Sequence, residues 1–331
     1  MAGGGAGGES APPRTGRPRR AVPRHGAVDC HVPSPPSRPA GLDSTGPESP
    51  FEGSRVKAVV AVAGMGSRFF PVAKTINKCM LPVLNEPVVA YAVADCIAAG
   101  AHEIAIITAP GETGRQVRHY FTHDHDLEQY FASRGWQAKY QAIAHLHDQA
   151  DFTFIEQPRD DRYGTALPAM IAGDFIGDDD FLLLAGDDLL LRTDGGSDLA
   201  DLVAARAAAG TPAAVAAATV PGPDAHRYGI LSPRTERGNQ VLDAIIEKPA
   251  DYQQSSAYIN ISRTLLPGDA VPYFNRLKPA ANGEYQATDA VEAYARDHDV
   301  LIHPIHGQYY DCGNTTGWLA ANNAAAAASP A

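Results

Sequence analysis

The chain has 331 residues, with 27 Lys and Arg against 38 Asp and Glu, so its formal net charge is −11. The length fits two ordinary domains or one large α/β domain, and a hydrophobic fraction of 44% excludes wholesale disorder. No apolar run reaches the roughly 18–20 residues that cross a bilayer, and the acidic balance disfavours a nucleic-acid binder. We therefore expect neither a membrane nor a nucleic acid as partner.

Residues 1–54 differ in composition from the rest of the chain. They contain 10 Pro and 10 Gly and show no apolar periodicity. Such a segment buries too little surface to offset the entropy lost on ordering, so we predict a disordered Pro/Gly/Arg-rich tail followed by a folded domain over residues 55–331. A linker, an interaction arm and a mis-assigned start all remain open as its role.

The cysteines indicate a reducing environment. Their spacing contains no CxxC, which disfavours a zinc ribbon and a disulfide framework. Free thiols of this kind are typical of proteins in a reducing compartment, so we expect a cytoplasmic location. The four residues are Cys30, Cys79, Cys96 and Cys312.

Strands alternate with helices from residue 56 onward. This alternation predicts βαβ units in a mostly parallel sheet, whose ligands bind at the carboxyl ends of the strands. The predicted strands are 56–63, 103–109, 152–156, 181–185, 213–220, 229–232, 244–247 and 300–305. The predicted helices are 87–100, 165–172, 198–209, 269–277, 289–297 and 318–328.

The first predicted strand runs into a glycine turn with three cations. Glycines at this point let the backbone wrap around phosphate, although the same spacing also serves a plain tight turn. The turn lacks the third glycine of a dinucleotide fingerprint and the GK[ST] of a P-loop. Arg68, Lys74 and Lys78 lie within eleven residues of an acidic chain, which indicates a polyanionic ligand, with a solvated basic loop as the alternative. The turn reads Gly64-Met65-Gly66-Ser67-Arg68.

The stretch from Gly64 to Met80-Leu81-Pro82 resembles the signature loop of the sugar-1-phosphate nucleotidylyltransferases, GxGTRxLPxTKxxPKExLP. It is most similar to the bacterial UTP–glucose-1-phosphate uridylyltransferases, and the resemblance extends over residues 56–320. It implies a single large α/β domain with a Rossmann-like mixed, mostly parallel sheet flanked by helices, the nucleotide-diphospho-sugar transferase type. It also implies a nucleotide-binding half, 55–225, and a sugar-phosphate-binding half, 226–320.

The resemblance implies a nucleotide site in the first half of the domain. Gln157 and the backbone of Gly164 would read the uracil edge, since an amide side chain offers both a donor and an acceptor. The implied nucleotide-binding residues are Ala63, Gly64, Gly66, Lys78, Gln157 and Gly164.

The implied sugar-phosphate site follows the stretches Tyr228-Gly229-Ile230 and Glu247-Lys248-Pro249. Its residues would be Gly229, Glu247 and Lys248. The stretch from Glu284 to Asp289 resembles one that borders the sugar pocket in the family. Tyr310-Asp311-Cys312-Gly313-Asn314 resembles a late DCGN segment, which we expect to serve structural support or a dimer contact.

The implied metal ion is Mg²⁺. Asp187 ends an apolar strand, which places a carboxylate well to hold a cation against a nucleotide, and Asn260 is the second candidate ligand. We expect the adjacent Asp188 to be a solvated loop carboxylate. His123 and His125 are two residues apart and so would not be neighbours on a helix face, which favours surface residues over metal ligands.

The implied activity is that of a nucleotidyltransferase of the UTP–glucose-1-phosphate uridylyltransferase type. The chain would transfer a uridylyl group from UTP to glucose 1-phosphate, giving UDP-glucose and pyrophosphate, with Arg68, Lys78, Asp187 and Lys248 as catalytic residues. The partners would be UTP or another nucleoside triphosphate and a sugar 1-phosphate, and assembly into a homo-oligomer stays open.

Departures from the family pattern leave the substrate open. Ser67 replaces a threonine, Asn77 and Cys79 replace a proline and a glutamate, and Ser262 stands where a glycine is expected. One alternative is therefore transfer to another sugar or cyclitol 1-phosphate with dTTP or GTP as donor. The other is a non-catalytic nucleotide-binding homologue.

Overall fold

The computed structural model describes residues 56–328, so the predicted disordered tail, residues 1–54, lies outside the described residues. The strands of the described part are, in chain order, β1 (Val56–Ala61), β2 (Pro82–Val83), β3 (Glu86–Pro87), β4 (Glu103–Thr108), β5 (Asp151–Glu156), β6 (Asp180–Ala185), β7 (Asp188–Leu191), β8 (Ala213–Pro221), β9 (Gly229–Glu236), β10 (Asn239–Glu247), β11 (Ser256–Leu266), β12 (Val300–Pro304) and β13 (Gln308–Asp311). Its α-helices are α1 (Val88–Ala98), α2 (Glu112–Tyr120), α3 (His125–Ser133), α4 (Gln137–Tyr140), α5 (Leu167–Ile171), α6 (Gly173–Ile176), α7 (Asp198–Ala209), α8 (Val271–Asn275), α9 (Ala287–Asp297) and α10 (Thr315–Ala328).

A nine-stranded mixed sheet organises these elements, in the order β5-β4-β1-β6-β11-β8-β12-β10-β9. The first four strands in that order run parallel, as do β8 and β12, whereas the other neighbours are antiparallel. The predicted mixed α/β sheet is confirmed. Two short strand pairs, β7 with β13 and β2 with β3, lie outside this sheet.

Strand β1 is apolar apart from Lys57, because both of its faces are covered. Ala58 and Val60 belong to one hydrophobic cluster, together with Val89 and Val93 of α1. Val59 belongs to a second cluster on the opposite face. Successive side chains of a strand point to opposite faces, so a strand buried on both faces needs an unbroken apolar run.

Helix α7 shows why some predicted boundaries agree with the structure. The Ser197 hydroxyl accepts a hydrogen bond from the Ala200 amide at 3.3 Å, and Gly210 ends the helix with φ 65°. A serine cap and a left-handed glycine are strong start and stop signals, and the predicted range is the observed one. None of the helices in residues 56–328 is both long and apolar enough to cross a membrane.

Strand β11 is the main element that the sequence pattern did not predict. It pairs antiparallel with β6 through Arg263 and Leu184, and with β8 through Asn260 and Ala217. Its register with β8 shifts between Asn260 and Thr264, so the strand carries an irregularity in that pairing. The irregularity breaks the apolar alternation by which strands are recognised, and it lies close to the predicted site residues.

Candidate active site

The glycine turn after β1 closes over the side chain of Lys78. Gly66 has φ 64°, and a Cβ atom there would lie 3.2 Å from the Cβ of Lys78. A Cβ atom on Gly64 would lie 3.2 Å from the Cε of the same lysine. The two glycines therefore give both the left-handed turn and the space for the lysine beneath it.

Lys78 and Asp187 form a mostly buried ion pair. The distance from Nζ to Oδ2 is 2.5 Å, and the side chains are 15% and 11% exposed. Burial is the largest single influence and acts to lower the pKa of Lys78, but the charge and hydrogen bond of Asp187, together with Cys79 and Asp188, outweigh it, so the pKa lies above its ordinary value. The structure thus holds a permanently charged ammonium group at the carboxyl ends of β1 and β6.

Arg263 braces the turn that carries Asp187. Its guanidinium is fully buried and donates to the carbonyl oxygens of Ala185 at 3.2 Å and of Asp188 at 2.8 Å. These carbonyls lie on either side of Gly186 and Asp187. A rigid guanidinium bonded to both sides restrains the direction in which Asp187 points.

The expectation of a solvated Asp188 is wrong. Its side chain is 8% exposed, and Oδ1 accepts a hydrogen bond from the Tyr309 hydroxyl at 3.1 Å. Burial and the neighbouring charge of Asp187 raise the pKa of Asp188 to about 7. The reason is the short pair of β7 with β13, which covers this carboxyl and which the sequence pattern does not show.

The DCGN segment, residues 310–314, borders the Lys78–Asp187 pair. The expectation of structural support or a dimer contact did not include this position. Arg68 Nη1 lies 3.3 Å from Asp311 Oδ2. A Cβ atom on Gly313 would lie 2.4 Å from Asp187 Oδ2 and 2.9 Å from Arg68 Nη2. Glycine is needed at this position because these side chains approach its backbone so closely. Arg68, which is 59% exposed, is brought to the site from the solvent side.

One cavity, of about 510 Å³, contains the predicted sugar-phosphate residues. The Nζ of Lys248 lies 3.2 Å from Glu247 Oε1, so in this structure Lys248 pairs with its neighbour and not with Asp187. Ser262 also lines the cavity, with φ 53°, in the left-handed region that favours glycine. Its hydroxymethyl group stands where the resemblance expects no side chain. The predicted residues in the lining are Gly229, Glu247, Lys248 and Asn260.

A second cavity, of about 600 Å³, is lined by Ala63, Gly64 and Gln157 from the predicted nucleotide site. The lining also has the cations Lys74, Arg159 and Arg162 and the acids Asp160 and Asp161. Arg162 pairs with Asp160 at 2.7 Å, so Lys74 and Arg159 are the cations that could meet an anionic ligand. Gly66, Arg68, Lys78 and Asp187 are absent from both cavity linings within residues 56–328.

Gly164 and the residues of the ion pair are close in sequence to residues that line the two cavities. Tyr163 lines the second cavity and Thr165 the first, and a Cβ atom on Gly164 would lie 2.2 Å from the Tyr285 carbonyl oxygen. Asn77, next to Lys78, lines the second cavity, and Ala185, two residues before Asp187, lines the first. Each residue of the Lys78–Asp187 pair is thus within two positions in sequence of a residue that lines a cavity.

The side chains of Asp187 and Asn260 fit a hard divalent cation. Asn260 lines the first cavity together with Ala185, which is two residues before Asp187. The Oδ1 of Asn260 accepts one hydrogen bond, from the Ser262 amide at 3.0 Å, which leaves a lone pair. Carboxylate and amide oxygens are the donors that Mg²⁺ prefers.

The sequence matches the nucleotidyl transferase family over residues 57–328. The chain belongs to this family. Nucleotidyl transferases generally use a divalent metal ion, and this one is an enzyme of that class.

Among named relatives, the nucleotidyl transferase is similar to the UTP–glucose-1-phosphate uridylyltransferase of Pseudomonas aeruginosa strain PAO1, with 30% identity over 268 residues, covering 81% of this chain and 94% of the relative. It is 28% identical over 265 residues to the enzyme of the same name from Bacillus subtilis strain 168, covering 80% and 88%. Among solved structures, UDP-glucose pyrophosphorylase complexed with UDP-glucose is 27% identical, with a TM-score of 0.69 and coverage of 82% and 98%. The nucleotide-diphospho-sugar transferase fold expected from the sequence is confirmed.

Four residues with clear roles in this geometry were not among the predicted site residues. Asn77 and Gly313 lie in motifs that the sequence already drew attention to, so their spacing could have indicated them. Asp311 lies in the same late segment as Gly313, whereas Arg263 acts through partners far away in the chain, which no local pattern marks.

Proposed function

We propose that this nucleotidyl transferase transfers the uridylyl group of UTP to glucose 1-phosphate, giving UDP-glucose and pyrophosphate. The observation that carries the proposal is the buried Lys78–Asp187 pair, which lies close in sequence to Asn77 in one cavity lining and Ala185 in the other. The names of the similar enzymes supply the substrates, because their chains align with this one over most of their length.

The reaction needs no protein nucleophile. An oxygen of the sugar phosphate attacks the α-phosphorus of UTP, a new P–O bond forms, and the bond to the β-phosphate oxygen breaks to release pyrophosphate. Positioning and charge neutralisation dominate transfers of this kind. The Lys78 ammonium would neutralise charge between the two substrates, and Arg68 would meet charge that develops on pyrophosphate.

The two cavities would divide the substrates between them. Gln157 and Gly164 would read the base from the second cavity, with Ala63, Gly64 and Gly66 next to the phosphates. Lys248 would exchange its partner Glu247 for the sugar phosphate, while Glu247 and Gly229 would contact the sugar. The buried free thiols of the described part support a reducing compartment, and we place the enzyme in the cytoplasm.

Asp187 and Asn260 would hold Mg²⁺. When bound, the ion would supply positive charge to the triphosphate. Asp187 would then have two partners, because Lys78 already approaches one of its oxygens.

The experiment is a pyrophosphate-release assay with UTP, Mg²⁺ and glucose 1-phosphate. We expect Lys78→Ala to lower kcat/KM by about 100-fold or more, the scale on which charged groups at a reacting centre act. The control is Lys139→Ala, because Lys139 lies on α4 over the Trp136 ring and should leave the rate unchanged. Near-normal turnover of Lys78→Ala would overturn the assignment.

The same assay tests the substrates. Ser262 fills space in the sugar-side cavity, so the panel includes other sugar and cyclitol 1-phosphates and dTTP and GTP as donors. A higher rate with another sugar or cyclitol 1-phosphate, or with dTTP or GTP, would make that combination the proposed substrates. Tight UTP binding with no pyrophosphate from any pair would favour a non-catalytic homologue.

A further inference from the structure

The segment around α3 is rich in histidine. Five of the 12 histidines lie within residues 119–147. The ring of His123 is central: its centroid lies 3.9 Å from that of His125 and 4.2 Å from that of His147. The rings of His123 and His147 are stacked, with an interplanar angle of 9°. Three imidazoles thus converge at one place outside the lining of both cavities described above.

The expectation that His123 and His125 cannot be neighbours is wrong. It assumed a helix through both residues, whereas α3 begins at His125 and Asp124 caps it. Asp124 has non-helical backbone angles, φ −102° and ψ 88°, and its carboxylate accepts a hydrogen bond from the Leu127 amide at 2.9 Å. The chain bends at this cap and brings the two rings together.

A carboxylate completes the cluster. The Nε2 atom of His123 lies 2.9 Å from Glu128 Oε2. One ligand atom from each of His123, His125 and Glu128 lies within 4.8 Å of the other two. The cluster therefore offers two imidazole nitrogens and one carboxylate oxygen to a single point.

We propose that His123, His125 and Glu128 bind one divalent transition-metal ion of the zinc class. Zinc binds imidazole nitrogen and carboxylate oxygen at about 2.0–2.2 Å, so its ligand atoms lie roughly 3.4 Å apart. The ligand atoms lie within 4.8 Å of one another, so side-chain rotations would bring them to that spacing. Imidazole ligands favour zinc, copper or nickel over Mg²⁺ and Ca²⁺, which prefer oxygen.

His147 gives the site a structural consequence. It lies in the segment before β5, and its stacked ring holds the plane of the His123 ring. A metal ion on His123 would therefore stabilise the contact between the start of α3 and that segment. Protein ligands fill three positions, which leaves room for water to complete the coordination.

The test is a calorimetric titration of the full chain with ZnCl₂ after removal of metal by chelator and dialysis. The titration is done in the Asp187→Asn background, so that zinc at the candidate active site does not contribute. We expect one equivalent of zinc per chain, with at least tenfold weaker binding when His125→Asn or Glu128→Gln is added. His102→Asn is the matched control, because His102 is an exposed histidine before β4 and should leave binding unchanged.

Thermal unfolding without metal accompanies each titration, so that a folding defect is not read as lost binding. We expect zinc to raise the melting temperature of the background chain and of His102→Asn but not of the other two variants. Equal zinc binding by all the chains would overturn the proposal, as would no zinc binding by the Asp187→Asn chain. Neither result depends on the proposed reaction.

Discussion

Two adjacent aspartates at the carboxyl end of β6 have different surroundings. Asp187 meets the ammonium group of Lys78 at 2.5 Å, whereas Asp188 accepts from the Tyr309 hydroxyl and lies 3.8 Å from the Arg263 guanidinium. Burial and the charge of Asp187 raise the pKa of Asp188 to about 7, compared with about 3.9 in an unfolded chain. The folded protein therefore holds a proton on Asp188 at a pH where the unfolded chain has lost it.

This raised pKa predicts a pH dependence of stability. The folded state binds the extra proton, so the contribution of Asp188 to stability is greatest below pH 4 and is lost as the pH rises towards 7. In Asp188→Asn that loss disappears. We expect the variant to gain on the order of 2 kcal/mol relative to wild type between pH 5 and pH 8, at 1.36 kcal/mol per pKa unit. Urea unfolding of wild type and variant at pH 5 and at pH 8 measures this difference in stability. The contributions of the other carboxyl groups cancel, because both proteins share them. A constant difference between the chains would contradict the prediction.

The loop between β1 and α1 is the element that presents Lys78. Asn77 anchors it: its Nδ2 donates to the Val62 carbonyl at 3.0 Å and to the Thr113 carbonyl at 3.3 Å, and its Oδ1 accepts from the Cys79 amide at 2.9 Å. The backbone N–H of Asn77 donates to Gln116 Oε1 at 2.9 Å. A buried asparagine thus connects the end of β1, the lysine turn and α2, although the family pattern has a proline at this position.

The anchor predicts that Asn77→Ala lowers the free energy of unfolding by about 1–3 kcal/mol, because buried backbone partners lose their hydrogen bonds. We also expect a lower kcat/KM, since Lys78 is the next residue. Chemical denaturation and the pyrophosphate assay measure the two effects. Asn275→Ala, at the exposed end of α8, is the control. If stability fell and turnover stayed normal, the loop would not position Lys78.

At this scale the sequence predicts elements that carry local signals. Helix α7 has its serine cap and terminal glycine, and β1 has an apolar run after Lys57. Strand β11 has no such signal, because Asn260, Ser262 and Arg263 interrupt its apolar pattern where it pairs with β6. The predicted site residues likewise come from contiguous motifs, because a contiguous motif is a local signal. The bracing of Asp187 by Arg263 depends on strand pairing between distant segments, which one sequence does not show.

In the whole molecule, the two cavities come from different parts of the chain. The lining of the second comes from residues 63–163, whereas most of the first comes from β6 and from the chain after β8. The halves 55–225 and 226–320 stay a prediction, since both contribute strands to one sheet and residues to the lining of the first cavity. A substitution deep in the second half should therefore affect one substrate more than the other.

Lys248→Ala tests this division. Lys248 lines the first cavity. Among the described residues its ion-pair partner is Glu247, at 3.2 Å, and both side chains are more than half exposed. Exposed pairs of this kind contribute little to stability, so we expect the variant to fold normally. Loss of the phosphate contact should raise the KM for glucose 1-phosphate about tenfold or more and leave the KM for UTP within about twofold, since a group that binds one substrate changes that substrate's term. Initial-rate kinetics with each substrate varied in turn, next to Lys139→Ala, measure the split. An equal rise in both KM values would contradict the assignment of Lys248 to the sugar phosphate.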